Sequence, residues 1–283
     1  MTISVVTPSY NQAQFIESTI RSVLEQSYPL VEYIIIDGGS TDGSLEIIKN
    51  YQHRLTSWCS EPDQGQADAI RKGFERATGD ILCWLNSDDL FLPGALAAAA
   101  EYFQTHTEVE ALSCGSITID SDGQIVSVGR CAYSLGVRAT FHRFLCYGQG
   151  GVAQCATFWR RSAYDAVGGI DSRYHFIMDL DLFTRLAMRR RFGNLRKLVA
   201  CYRIHPAAKG STMQTVHDAE LVQFRQSYGY STSNQITTVM LRAWYTVSTK
   251  FQRGLLVARW KYGIWIGHPI FAGLPPSRNE FSN

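Results

Sequence analysis

The first residues able to do chemistry are paired carboxylates directly after an apolar run. Ile81 to Leu85 is short and apolar, and Asn86-Ser87-Asp88-Asp89 follows it. If the run is a buried strand, Asp88 and Asp89 project from its carboxyl end, where open α/β sheets bind ligands. Adjacent acids there suit Mg²⁺ or Mn²⁺, which take one or two protein carboxylates and complete their shell with substrate phosphates. Capping the helix that opens near Pro93 is the competing role. A second group joins Thr7-Pro8-Ser9-Tyr10-Asn11 to Asp37-Gly38-Gly39-Ser40-Thr41-Asp42. Asp37, at a strand end beside a glycine turn, can accept hydrogen bonds from a ribose or base, and Tyr10 offers a ring for stacking. The same residue types also build ordinary turns. A third group is Met178-Asp179-Leu180-Asp181-Leu182. Asp181, Arg185 and Arg189 recur every four residues, the spacing of a surface ion-pair ladder. Asp179 lies a half-turn away near the helix start, where an acid also satisfies the helix dipole.

Alternating strand and helix signals would position these groups. Ile3 to Thr7, Tyr33 to Ile36, Leu55 to Cys59 and Ile81 to Leu85 read as strands. Between them, helices are predicted with Phe15, Ile16, Ile20, Val23 and Leu24 on one apolar face, then Ile47 and Ile48, then Ala67, Ile70, Phe74 and Ala77. Asn11 and Asp42 are the expected caps of the first two helices. The alternation implies an α/β fold with a Rossmann-like, mostly parallel sheet flanked by helices. Ile117 to Val128 reads as a hairpin turning at Asp122-Gly123, and residues 162–190 as helix, loop, helix. Residues 239–262 fit one amphipathic helix with Leu241, Trp244, Tyr245, Phe251, Leu255 and Tyr262 on a face.

Composition narrows the classes. Hydrophobic residues make up 45% and charged residues 18%, enough for a sizeable core and against disorder. No apolar run approaches the ~18 residues of a membrane span. No signal-peptide pattern precedes Ile3, so a cytoplasmic protein is expected. Seven scattered cysteines without a C-x-x-C pair read as reduced core thiols. From Gln235 onward there are six basic residues and one acid, leaving the first 234 residues slightly acidic. The body therefore does not suit nucleic acid, whereas the tail suits an anionic surface. Neither G-x-G-x-x-G nor G-x-x-x-x-G-K-[ST] is present, which removes typical dinucleotide and P-loop readings.

Five segments in order carry a resemblance: Val5-Val6-Thr7-Pro8-Ser9-Tyr10-Asn11; Ile34 to Ser44 around Asp37-Gly38-Gly39-Ser40; Glu61-Pro62-Asp63-Gln64-Gly65-Gln66-Ala67-Asp68-Ala69-Ile70-Arg71-Lys72-Gly73; Ala77-Thr78-Gly79-Asp80-Ile81; and Asn86-Ser87-Asp88-Asp89. Together they resemble the nucleotide-sugar-binding half of glycosyltransferase family 2, which has the GT-A fold. The resemblance implies residues 1–110 as that half, 111–215 as the acceptor and catalytic-base half of the same domain, and 216–283 as a C-terminal helical, basic and aromatic extension. It implies that Thr7, Pro8, Tyr10 and Asp37 hold uracil and ribose, and that Asp68, Arg71 and Lys72 contact the base and phosphates. Asn86-Ser87-Asp88 matches the family's D-x-D motif with Asn86 replacing the first acid. That assigns Ser87 to the nucleotide and Asp88, Asp89 or both to Mn²⁺ or Mg²⁺. Asp179 matches the aspartate of an E-D motif, the general base, with Met178 replacing the glutamate. His205 and Lys209 resemble residues that approach the metal and diphosphate; a structural role is the alternative for His205. Gln154 and Trp159 fall in the segment under the acceptor, where Trp159 could stack on a sugar or belong to the core.

The implied activity is inverting transfer of a hexosyl or N-acetylhexosaminyl group from a UDP-sugar to a carbohydrate or lipid-linked glycan, in surface polysaccharide or glycolipid assembly. A cation would stabilise the leaving diphosphate and a carboxylate would deprotonate the acceptor hydroxyl. Trp244, Tyr245, Trp260 and Trp265 in the basic tail suit the inner face of the cytoplasmic membrane, or packing on the core or within a homodimer. Two alternatives remain. One is a sugar-nucleotide pyrophosphorylase, although Thr7 to Asn11 lacks its glycine-rich basic loop. The other is a non-catalytic nucleotide-sugar-binding or scaffold protein.

Overall fold

Apolar residues on both faces of β1 (Ile3–Ser9) and β2 (Val31–Asp37) require a helix layer on each side of the sheet. Val6, Ile34 and Ile36 enter one core layer, while Ile3, Val5, Tyr33 and Ile35 enter the other. The computed structural model describes residues 1–128, 152–189 and 191–228. Its further strands are β3 (Ser57–Ser60), β4 (Ile81–Trp84), β5 (Leu90–Phe91), β6 (Ala111–Ile119), β7 (Ile125–Val128), β8 (Thr157–Arg160) and β9 (Phe192–Arg203). The helices are α1 (Ile16–Leu24), α2 (Ser44–Tyr51), α3 (Gln66–Arg76), α4 (Ala95–Thr105), α5 (Arg161–Ala166), α6 (Met178–Met188), α7 (Lys209–Thr212) and α8 (Gln214–Ser227).

One mixed sheet runs β3-β2-β1-β4-β8-β6-β9-β5, with β7 paired to β6. β3, β2, β1 and β4 are mutually parallel, as are β6 and β9. β8 runs antiparallel between β4 and β6, and β5 antiparallel to β9. The parallel ends of β1, β2 and β4 therefore face the same way, and the second half of the chain extends the same sheet. The boundary expected near residue 110 falls between α4 and β6, inside that sheet.

The hairpin at Asp122-Gly123 is present: Asp120 accepts N–H bonds from Asp122 and Gln124, and Gly123 has φ +81°. The twelve-residue β9 escaped the sequence reading because Asn194, Arg196 and Lys197 interrupt its apolar pattern. The expected caps act differently. Asn11 has φ +52° and bonds across to Thr41, while Asp42 accepts from Ser44 and Ala13; both lace two loops together. Cys83, Cys155 and Cys201 are buried thiols. No helix among the described residues is long and apolar enough to cross a membrane. The amphipathic helix read over 239–262, the basic aromatic tail, Cys131 and Cys146 lie outside the described residues.

Helix α3 approaches β1 closely at Gly73. A Cβ there would overlap Val6 Cγ1 and sit 3.0 Å from Cγ2. Gly73→Ala is expected to lower unfolding free energy by about 1–3 kcal/mol through overpacking, read as a lower urea midpoint at unchanged m-value.

Candidate active site

The loops leaving β1, β2 and β4 are laced before any ligand is considered. Asp37, wholly buried, accepts from Gly39 N at 3.2 Å, Ser40 N at 2.9 Å, Ser40 Oγ at 2.5 Å and Ser60 Oγ at 2.7 Å. Asn11 N donates to Ser40 Oγ at 2.8 Å, so the turn Asp37 builds also holds the loop carrying Tyr10. Pro8, Ser9 and the exposed Tyr10 line a cavity of about 1230 Å³. Thr7 is turned inward onto the Tyr33 hydroxyl at 3.1 Å. Asp37 and Thr7 thus shape this wall of the cavity from behind, with their polar atoms bonded to neighbouring residues.

The loop after β4 is pinned from two sides. Thr19 Oγ1, on α1, donates to Ser87 O at 2.9 Å and Asp89 O at 2.8 Å. From the end of β9, Arg203 N donates to Asp89 Oδ1 at 2.8 Å and Arg203 Nε to Asp88 O at 2.8 Å. Ser87 and Asp88 line the cavity. Asp89 does not; it is buried behind them, and burial followed by the charge of Asp88 pushes its carboxyl well above the usual range. His205 Nε2 lies 3.1 Å from Asp88 Oδ2, with its ring against Phe15. Asp88 is therefore the acid of the pair that faces the cavity, backed by His205. Asp89 anchors the loop.

Asp179 lines the same cavity from the first turn of α6. Burial raises its carboxyl pKa, opposed by the Leu180 N–H at 2.8 Å and then by the charges of Lys209 and His217. The turn is held by Glu220 of α8, which accepts from His175 N, Phe176 N and Ile177 N at 2.6, 2.9 and 3.1 Å. Asp181 is buried and points elsewhere: its Oδ2 accepts from Arg185 NH2 at 2.5 Å, and Arg185 also reaches Val167 O and Gly169 O. The expected ladder stops there, because Arg189 pairs with Glu110 instead.

Trp159 and the charged cluster of α3 sit apart from the cavity lining. Trp159 is fully buried among Phe74, Trp84 and Phe183 and has no face for a sugar. Asp68, Arg71 and Lys72 do not line the cavity. Asp68 pairs with Arg71 at 2.8 Å and Lys72 at 3.3 Å, and those cations also reach Glu75 and Glu61. Gln154 does line it. Sequence reasoning missed Asp63 and Gln66 as cavity residues. The available signal was their place in the third of the five segments, at the loop and first residue that open α3.

The family model for glycosyl transferase family 2 matches residues 4–168. The chain belongs to glycosyltransferase family 2. The "PGL/p-HBAD biosynthesis glycosyltransferase" of Mycobacterium bovis is 27% identical over 266 residues, 91% of this chain and 96% of that protein. Two solved structures share the GT-A fold. S. aureus TarS 1–349 in complex with UDP-GlcNAc has a TM-score of 0.62 at 17% identity, over 75% of this chain and 61% of that one. Mannosyltransferase PcManGT from Pyrobaculum calidifontis, in complex with GDP-Man and Mn²⁺, has a TM-score of 0.59 at 18% identity, over 95% and 82%.

Whether this glycosyltransferase fits a divalent cation is a question for its own side chains. Among the described residues no group of three or more His, Cys, Asp or Glu forms a ready cage. Asp88 with His205 offers one cavity-facing carboxylate and one imidazole. That fits Mg²⁺ or Mn²⁺ bound together with substrate phosphates and not a cation held by protein alone.

The burial of Asp179 has a consequence for stability. A carboxyl with a raised folded pKa binds its proton more tightly in the native state, so its contribution to stability falls as pH rises through that pKa. Asp179→Asn is therefore expected to be at least as stable as the natural protein at pH 7. The gap should narrow on acidification, read by urea unfolding at pH 5 and pH 7.

Proposed function

We propose that this enzyme is an inverting, cation-assisted glycosyltransferase that moves a hexose or N-acetylhexosamine from a UDP-type donor to the hydroxyl of a glycan or glycolipid acceptor. The observation that carries the proposal is that Asp88 and Asp179 line one cavity from different elements and that neither is consumed by an ion pair with Arg or Lys. Tyr10 and Pro8 hold the nucleoside, Ser87 lies beside it, and Asp88 with His205 would hold the cation. When bound, that cation neutralises charge developing on the leaving diphosphate. Lys209 donates to Gln66 Oε1 at 2.8 Å and faces the same cavity, adding positive charge on the phosphate side. Asp179 removes the acceptor proton; its burial raises its basicity toward neutral pH, where a general base works best. No second carboxylate is needed to protonate the leaving group, unlike in a glycosidase. The M. bovis relative named for PGL/p-HBAD biosynthesis supports a glycolipid or polysaccharide acceptor. UDP-GlcNAc and GDP-Man in the structural neighbours support a nucleotide-sugar donor of either base.

Thermal shift with UDP, GDP, UDP-GlcNAc and GDP-Man, each with and without Mn²⁺, tests the donor and the cation together. A ligand at 100 times its Kd stabilises by about 2.7 kcal/mol. Mn²⁺-dependent stabilisation by a uridine nucleotide is expected, and Asp88→Ala should remove the Mn²⁺-dependent part. No stabilisation by any nucleotide in Mn²⁺ would refute the proposal, and stabilisation by GDP alone would correct the base. Asp179→Asn should keep donor binding while lowering turnover by about 10²–10⁴.

A further inference from the structure

Three side-chain amides run in file across the cavity. Gln154 Nε2 donates to Trp84 O at 2.7 Å, and Gln154 Oε1 accepts from Asn86 Nδ2 at 3.1 Å. Asn86 Oδ1 accepts from Gln66 Nε2 at 2.8 Å, and Gln66 Oε1 accepts from Lys209 Nζ at 2.8 Å. Gln154, Asn86, Gln66 and Lys209 all line the cavity. The two ends of the file are chemically one-way, because a backbone carbonyl only accepts and an ammonium only donates. Every amide between them must therefore turn its N–H₂ toward Trp84 and its oxygen toward Lys209. Flipping any one sets two donors or two acceptors against each other.

We infer that Asn86 is a positioning residue, the junction that transmits this single orientation from the Trp84 carbonyl to the Lys209 ammonium, and that this role explains an amide at the first position of the metal motif. The inference rests on the proposed function only in taking Lys209 to face the donor phosphates. An aspartate at 86 could still accept from Gln66, but it has no hydrogen for Gln154 Oε1. Gln154 would have to turn its nitrogen toward residue 86, leaving its oxygen against Trp84 O. Asn86 Nδ2 also approaches Asp89 Oδ2 at 3.4 Å, where a carboxylate at 86 would have no hydrogen to offer. The far end of the relay is well held. Lys209 also donates to His175 O, and Asp179 and Glu220 are the acids that attract it. Burial nevertheless lowers its pKa to about 8, so a polar neutral acceptor such as Gln66 Oε1 suits both of its protonation states.

The decisive measurement is side-chain amide hydrogen exchange by NMR on the ligand-free protein. Gln154→Leu is expected to speed exchange at the Gln66 amide tenfold or more, although Gln66 and Gln154 share no hydrogen bond. Unchanged exchange at Gln66 would mean independent contacts and would overturn the inference. Asn86→Asp, nearly isosteric, keeps the experiment readable should Gln154→Leu fail to fold: exchange at Gln154 should speed up by a similar factor, and unchanged exchange there counts against the relay. In Mn²⁺-dependent donor turnover, Asn86→Asp should lower kcat/KM tenfold or more without tightening half-saturation by Mn²⁺. Tighter Mn²⁺ with turnover preserved would make residue 86 a replaced cation ligand and sink the inference. If the natural protein releases nucleotide from no sugar donor, the proposed function fails, while the exchange experiment still judges the relay.

Discussion

The candidate site depends on how the buried carboxyl of Asp89 is satisfied. A carboxyl withdrawn from water is tolerated only with hydrogen-bond partners. Here the main partner is the backbone N–H of Arg203, 114 residues later in the chain. That bond fastens the loop after β4 to the end of β9. The Arg203 guanidinium finishes the clamp by donating to Asp88 O, Asp120 O and Ser121 O while lying 4.9 Å over the Phe15 ring. With Asp89 turned inward, its neighbour Asp88 must turn outward. One of two adjacent acids becomes an anchor and the other a ligand-facing group, because consecutive side chains on a pinned loop cannot share one environment.

The same division recurs on α6. Asp181 lies inside and is neutralised by Arg185, which carries its charge on to two backbone carbonyls. Asp179 faces the cavity without such a partner. Its helix start is held by Glu220, whose carboxylate gathers three N–H groups that the first turn of a helix leaves unpaired. Structure-bearing charges are thus paired, and the acid available for chemistry is kept unpaired and partly desolvated. Such a group costs stability, and a raised basicity is what that cost yields. Residues 214–227 belong to this arrangement: Leu221 and Phe224 enter the same core layer as Met178 and Leu180.

Much of the parallel half was legible. Apolar runs at Ile3, Tyr33 and Ile81 had no way to satisfy their backbone and bury both faces except as central strands, and the helices between them follow from that topology. The turn at Asp122-Gly123 was legible for the local reason that glycine accepts a positive φ. Less legible was anything requiring partners from afar. Thr7 bonds the Tyr33 hydroxyl, 26 residues on, which only the packed sheet brings close, whereas Asp37 takes three of its four donors from its own turn and one from Ser60. Asp68, Arg71 and Lys72 are a local case instead: they pair with one another and with Glu75 at i,i+3 and i,i+4 spacing, and Lys72 also reaches Glu61. Trp159 reads equally as platform or core, and the aromatic cluster around it makes it core.

Residue type and local spacing determined the strands, the strand-end loops and the acids able to hold a cation or take a proton, because hydrophobic period and turn chemistry act over a few residues. The five ordered segments determined the family. Tertiary structure alone decided that Asp88 and not Asp89 faces the cavity, and that Asn86 sits between Gln66 and Gln154 in a file of amides. Those outcomes turn on burial and on donors and acceptors contributed by residues 20 to more than 100 positions away, and no local pattern encodes where such partners arrive.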